Sequence, residues 1–344
     1  MQARAFITGV SGPELTGAER DFIRSERPWG FILFKRNVET PQQVKLLVEE
    51  LRNCVGVPDS PVLIDQEGGR VQRLGPPHWP IYPPGAAYGA LFDRDRSSAL
   101  AAAELGARLI AHDLAELGID VDCAPIADVP ARDADPVIGD RAYGADPGKV
   151  AAIAGAFASG LMEGGVLPVL KHLPGHGRAT ADSHHGLPVV TTERAALETT
   201  DFAAFRPLRA LPLGMTAHVV FTAIDPVAPA TTSANIVANV IRDSIGFAGL
   251  LMSDDISMGA LSGSLGERTK AAIAAGCDMV LHCNGATVEM REVAAAAPLL
   301  EGDAARRAQA ALTARKAPAV LDSAAARAQF SRLMQGIEPT AGSA

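Results

Sequence analysis

The chain has 344 residues, 48% hydrophobic and 20% charged, which is enough apolar material for a large core. Lys and Arg total 31 against 39 Asp and Glu, a net charge of −8 without a long basic run, and this argues against nucleic acid or an anionic membrane as a partner. No apolar stretch reaches the roughly 20 residues that span a bilayer. No signal-peptide pattern opens the chain, and the four scattered cysteines, without Cys-x-x-Cys spacing, read as free thiols of a reducing cytoplasm.

Short apolar runs alternate with helical patterns. The strand-like runs are Ala5–Val10, Gly30–Phe34, Val62–Asp65, Val121–Ile126, Leu167–His172, Leu213–Ala217, Gly249–Ser253 and Met279–His282. Thr16 and Glu19 form a capping box before the first helix. Thr40 caps the second and Pro41 opens it, and Val44, Leu47, Val48 and Leu51 supply the i, i+3, i+4, i+7 stripe of a helix packed on a sheet. The third run is followed by a proline- and glycine-rich excursion, Leu74–Phe92, and then by an Ala-rich helix over about Arg96–Leu117. Ile153, Ala154, Phe157 and Leu161 repeat the helical stripe after the fourth run. Ser233 caps a helix bearing Val237, Val240 and Ile241, and Glu267–Ala275 and Thr287–Ala297 complete the series. The Ala- and Arg-rich tail beyond Gly302 reads as one or two outer helices, with Pro339–Ala344 expected to fray.

Eight strands alternating with helices predict an α/β fold, a single (β/α)8 barrel of the TIM type with peripheral helices, spanning residues 1–344. An open doubly wound sheet is the alternative, but no Gly-x-Gly-x-x-Gly turn follows the first strand.

In such a barrel the active site lies at the C-terminal strand ends, and the unusual polar residues collect there. Strand three ends in Ile64-Asp65-Gln66-Glu67-Gly68-Gly69-Arg70-Val71-Gln72-Arg73. Strand four leads to Asp135–Arg141, strand five ends in Lys171-His172, strand six in His218, and strand seven in Ser253-Asp254-Asp255. A loop rich in glycine and proline follows strand five, and Lys171–Pro188 holds four of the eight histidines: His172, His176, His184 and His185. Each residue has a plain reading as well. Arg73 and Arg141 would serve as surface ion-pair partners, Lys171 as a strand-end lysine and Asp254 as a turn cap. For His176 and His185 the plain reading, a satisfied loop histidine, is preferred. For the others, convergence on one face from separate strands favours function.

These segments resemble the bacterial β-N-acetylglucosaminidases of glycoside hydrolase family 3, over about Phe31 to Asn284. Ile64–Arg73 matches that family's strand-three motif. Lys171-His-Leu-Pro-Gly-His-Gly177 with Asp182-Ser-His184 matches its signature loop, with Leu173 where phenylalanine is usual, and Ser253–Met258 matches the nucleophile segment. The resemblance implies that Asp254 is the nucleophile and His184 the general acid/base with Asp182 as its partner. It also implies that Asp65, Arg73, Arg141, Lys171 and His172 bind the sugar. It further implies a small carbohydrate substrate from muropeptides and a cytoplasmic place in cell-wall recycling, with no cofactor or metal; a monomer is favoured.

The residues suit this chemistry. A retaining glycosidase needs a carboxylate nucleophile and a second group that first protonates the leaving oxygen and then deprotonates water. An aspartate ionises well below neutrality, and a histidine both gives and takes a proton near it. The glycines of the loop, Gly175, Gly177 and Gly186, predict that His184 moves when substrate is absent. The alternatives are a phosphorylase using the same site, a metal-dependent barrel hydrolase built on the histidines, a Schiff-base lyase using Lys171, and a sugar-binding barrel without turnover.

Overall fold

The apolar runs carry hydrophobic side chains on both faces, the pattern of a parallel sheet covered on both sides. A computed structural model of the chain describes residues 2–183 and 186–337. His184, His185 and the end expected to fray, Pro339–Ala344, lie outside the described residues. The strands are β1 (Arg4–Thr8), β2 (Pro28–Leu33), β3 (Val62–Ile64), β4 (Val121–Asp122), β5 (Leu167–Leu173), β6 (Leu213–Thr216), β7 (Leu250–Asp255) and β8 (Met279–His282). Each pairs in parallel with the next, and β8 closes the barrel on β1 through Thr8 opposite His282. Every strand-like run therefore contributes a barrel strand. The fourth is shorter than its run because Pro125 has no N–H to donate, although Ile126 still bridges to Lys171.

Alternate residues fill the barrel. Ala5, Ile7, Ile32, Leu63, Val121, Cys123, Leu167, Val169, Leu213, Met215, Leu250, Met252, Met279 and Leu281 belong to one buried cluster. The intervening Phe6, Phe31, Leu33, Val62, Ile64 and Val280 pack against the helices outside. One further step of the same alternation leads from Ile32 to Phe34, from Leu63 to Asp65, from Val169 to Lys171 and from Met252 to Asp254. The uppermost inward-facing layer is thus largely polar, and it becomes the floor of a cavity.

The helices are α1 (Gly17–Glu26), α2 (Pro41–Val55), α3 (Gly85–Arg94), α4 (Arg96–Ala115), α5 (Pro147–Glu163), α6 (Arg194–Thr199), α7 (Asp201–Phe205), α8 (Ala234–Ile236), α9 (Leu265–Ala275), α10 (Thr287–Ala296), α11 (Gly302–Ala314) and α12 (Ser323–Leu333). The Thr16/Glu19 capping box and the Thr40 cap are both present. Ser233 Oγ caps α8 by accepting from the Ile236 amide at 3.1 Å, and the chain then widens into a π-helical stretch over Val237–Ser244. The excursion after β3 is more regular than its composition suggests, because α3 forms inside it. Gly85 and Gly89 lie one turn apart on α3. A Cβ at either would come within 2.0 or 2.1 Å of the Arg141 or Tyr143 carbonyl oxygen. Here glycine permits a close helix-to-backbone approach instead of a loop, and that approach fixes the segment carrying Arg141.

All four cysteines are free; Cys123 and Cys277 are buried, and Cys54 and Cys283 are half-buried. No helix among the described residues is long and apolar enough to cross a membrane.

The opposite end of the barrel is tied by Asp120, just before β4. Its carboxylate accepts from the Val62 amide at 2.8 Å and from Arg52 at 2.9 Å, and it also pairs with Arg315 beyond α11. Asp120→Ala strands that amide and two partly exposed guanidiniums, so it should lower stability by about 3 kcal/mol. Urea unfolding is expected to show a lower midpoint with an unchanged slope, while turnover at 25 °C stays near wild type because this end carries no site residue.

Candidate active site

Five charged side chains alternate in sign across the floor of the cavity. Arg73 donates to Asp65 at 2.9 Å, and the Lys171 ammonium lies 3.1 Å from Asp65 and 2.7 Å from Glu67. Arg141 holds Glu67 with two bonds, Nε at 2.9 Å and Nη2 at 2.7 Å. Lys171 is almost wholly buried, and the paired carboxylates hold its ammonium protonated against the opposing effect of burial. Burial raises the pKa of Asp65 and Glu67, but Lys171 with Arg73 or Arg141 outweighs it. Asp65 ends well below the usual carboxylate range and Glu67 at about 2. The motif after β3 folds back to make this possible: Gln66 accepts from the amides of Arg73 and Leu74 at 2.9 and 3.0 Å and so turns Arg73 toward Asp65. Arg70 bonds Asp140 and the carbonyls of Pro136 and Val137, joining this hairpin to the Arg141 segment.

The two adjacent aspartates at the end of β7 have different surroundings. Asp255 caps its own turn, accepting from Ser257 N at 3.0 Å, Ser257 Oγ at 2.7 Å and the Cys283 amide at 3.2 Å. Asp254 lines the cavity and accepts from the Asp255 amide at 2.8 Å. Burial raises its pKa, yet His172, His218, that amide and Lys171 together bring it below the ordinary value. His218 supports from behind: Nε2–H donates to the Asp255 carbonyl at 3.0 Å, Nδ1 meets Thr231 Oγ1 at 2.6 Å, and burial lowers its pKa.

The cavity measures about 310 Å³, at the small end of the roughly 300–1,000 Å³ span of small-molecule sites. Asp65, Arg73, Arg141, Lys171, His172, Asp182 and Asp254 all line it, so seven of the eight residues singled out in the sequence meet at one place. The eighth, His184, lies outside the described residues. Among the described residues no three His, Cys, Asp or Glu side chains are grouped as a metal ion would need. Three residues of this site were not singled out in the sequence. Glu67 is covered by the strand-three motif but shows its part only once Lys171 is seen between it and Asp65. Asp128, fully buried, accepts from His172 Nδ1 at 2.7 Å. His176 is not a plain loop histidine: it is buried, lines the cavity and packs edge-on against His172.

Residues 12–313 match the glycosyl hydrolase family 3 N-terminal domain. A β-hexosaminidase of Alkalilimnicola ehrlichii is 40% identical over 282 residues, which is 81% of this chain and 80% of that protein. NagZ from Neisseria gonorrhoeae, solved with N-trifluoroacetyl-D-glucosamine, superposes with a TM-score of 0.86 at 30% identity, covering 97% of this chain and 99% of that one. A family 3 β-N-acetylglucosaminidase from Paenibacillus sp. str. FPU-7 gives 0.83 at 30% identity, covering 96% of this chain and 66% of the other. With the family domain matched over most of its length on a closed eight-stranded barrel, the chain belongs to glycosyl hydrolase family 3.

Proposed function

We propose that this chain removes terminal β-linked N-acetylglucosamine by a retaining mechanism with Asp254 as nucleophile and His184, partnered by Asp182, as acid/base. The broader reading, a β-hexosaminidase-type glycosidase, rests on the family and on relatives that span the barrel. The observation that supports the finer one is the division of labour at the end of β7: both aspartates border the cavity, but Ser257 and the Cys283 amide occupy the Asp255 carboxylate, while Asp254 accepts from the Asp255 amide and is kept ionised.

In the first step an Asp254 oxygen attacks the anomeric carbon. The bond to the leaving oxygen breaks, and that oxygen takes a proton from the His184 imidazolium. In the second step His184, now neutral, takes a proton from water, whose oxygen displaces Asp254 and releases the sugar. Asp182 holds the imidazole tautomer and stabilises its cation, as in other Asp–His pairs. Arg73, Arg141, Lys171, Asp65 and His172 donate to and accept from the sugar hydroxyls. A cavity of about 310 Å³ suits a single sugar ring with the aglycone outside, which is removal from a chain end. The proposal extends to muropeptide fragments as substrates and the cytoplasm as compartment, supported by the motif resemblance and the four free cysteines.

A chromogenic N-acetyl-β-glucosaminide should be turned over far faster than the matching glucoside, with or without phosphate. A 5-fluoro analogue should add its glycosyl mass to the peptide holding Asp254; mass on Asp255, or turnover surviving in Asp254→Asn, would refute the assignment. For the acid/base, His184→Ala should slow substrates with poor leaving groups by roughly 100- to 10,000-fold and spare the glycosylation step of dinitrophenyl glycosides. Azide, which needs no general base, should then restore deglycosylation. Equal slowing of all leaving groups, with no effect of azide, would leave His184 a binding residue.

A further inference from the structure

His176 stands between two parts of the site that the mechanism uses separately. Its backbone amide donates to Asp128 Oδ1 at 2.6 Å, while the other carboxylate oxygen of Asp128 accepts from His172 Nδ1. Its ring crosses the loop, with Nε2 3.2 Å from Ser183 Oγ. Ser183 is held from the other side as well, its carbonyl accepting from the Ala260 amide at 3.1 Å. Hydrogen bonds made by His176 and Ser183 therefore link Asp128, buried six residues beyond β4, to the residue between Asp182 and His184 and on to the segment after Asp254.

The backbone around His176 is built to place that ring. Gly177 lies so close to the β4 segment that a Cβ would stand 2.1 Å from the Val129 carbonyl oxygen. The Gly177 carbonyl accepts from Ala131 at 2.8 Å, and the Ala179 carbonyl accepts from Asp135 at 2.8 Å. The glycine expected to lend mobility serves close packing here. Packing alone does not account for the imidazole. Its Nδ1 is buried with no partner among the described residues, a cost that an apolar ring of similar size would avoid. Burial brings the ring's pKa down to about 4, so it is neutral at working pH and adds no charge to offset that cost.

We propose that His176, anchored by Asp128, is a positioning residue that holds Ser183 and thereby sets the Asp182 segment of the loop for proton transfer. The proposal rests on the acid/base reading above, and the test separates the two. His176→Phe keeps the ring's bulk and removes both nitrogens; Ser183→Ala removes a single hydroxyl and carries the test alone if the first variant does not fold. Both are compared with His184→Ala on methyl, nitrophenyl and dinitrophenyl N-acetyl-β-glucosaminides, together with thermal unfolding and the inhibition constant of free N-acetylglucosamine.

The expected result is a midpoint for His176→Phe at or above wild type and unchanged inhibition by the sugar. The methyl glycoside should lose about tenfold or more in kcat/KM and the dinitrophenyl glycoside less than about twofold. Ser183→Ala should show the same pattern, and the double variant should be no worse than the poorer single one. If His184→Ala discriminates among leaving groups while both other variants lose all substrates equally, or none, the positioning role is overturned. If His184→Ala itself fails to discriminate, the acid/base reading falls and this role with it.

Discussion

A buried ammonium is tolerated only when it is paired, because the charge has lost its water. Lys171 meets that demand twice, with Asp65 from the end of β3 and Glu67 from the hairpin that follows. Each carboxylate brings a guanidinium of its own, Arg73 or Arg141. The Gln66 turn, the Arg70 bonds across to Pro136 and Val137, and the close approach of α3 to the Arg141 carbonyl help bring the five charges into register. A floor rich in donors and acceptors is the consequence.

The same floor bears on Asp254. Asp254 stands half-buried at the cavity wall, and burial alone would push it toward the protonated form. His172, His218, the amide of Asp255 and Lys171 reverse that balance, so the carboxylate stays charged. Fixed charges and dipoles that need not reorganise during reaction are what an active site requires of its surroundings. Behind this first layer, Asp128 orients the His172 ring by accepting from its Nδ1, and His218 braces the turn after β7 by donating to the Asp255 carbonyl; neither has to meet the substrate to matter.

The barrel was legible because eight short apolar runs alternate with helical stripes and the helix caps are spelled out at Thr16, Thr40 and Ser233. Asp65, Lys171 and Asp254 were legible as polar strand ends; that they face inward follows from the alternation seen in the structure. What the sequence hid was of two kinds. Glycines at positions 85, 89 and 177 look like loop residues but permit close backbone packing, which depends on what lies opposite. Glu67, Asp128 and His176 owe their roles to partners 44 to 104 residues away (Lys171 for Glu67, His172 and His176 for Asp128), and no local pattern reports such a pairing. His184 was picked out by its motif and lies outside the described residues, so its role rests on chemistry.

The central claim is that Asp254 forms a bond to the sugar instead of activating water. The stereochemistry of the first product tests it most directly. Proton NMR of the earliest minutes of hydrolysis of a β-N-acetylglucosaminide, taken before mutarotation, reads the anomer released. Double displacement through Asp254 requires the β anomer first. Release of the α anomer would mean that a single displacement by water had occurred, and Asp254 would have to be a base.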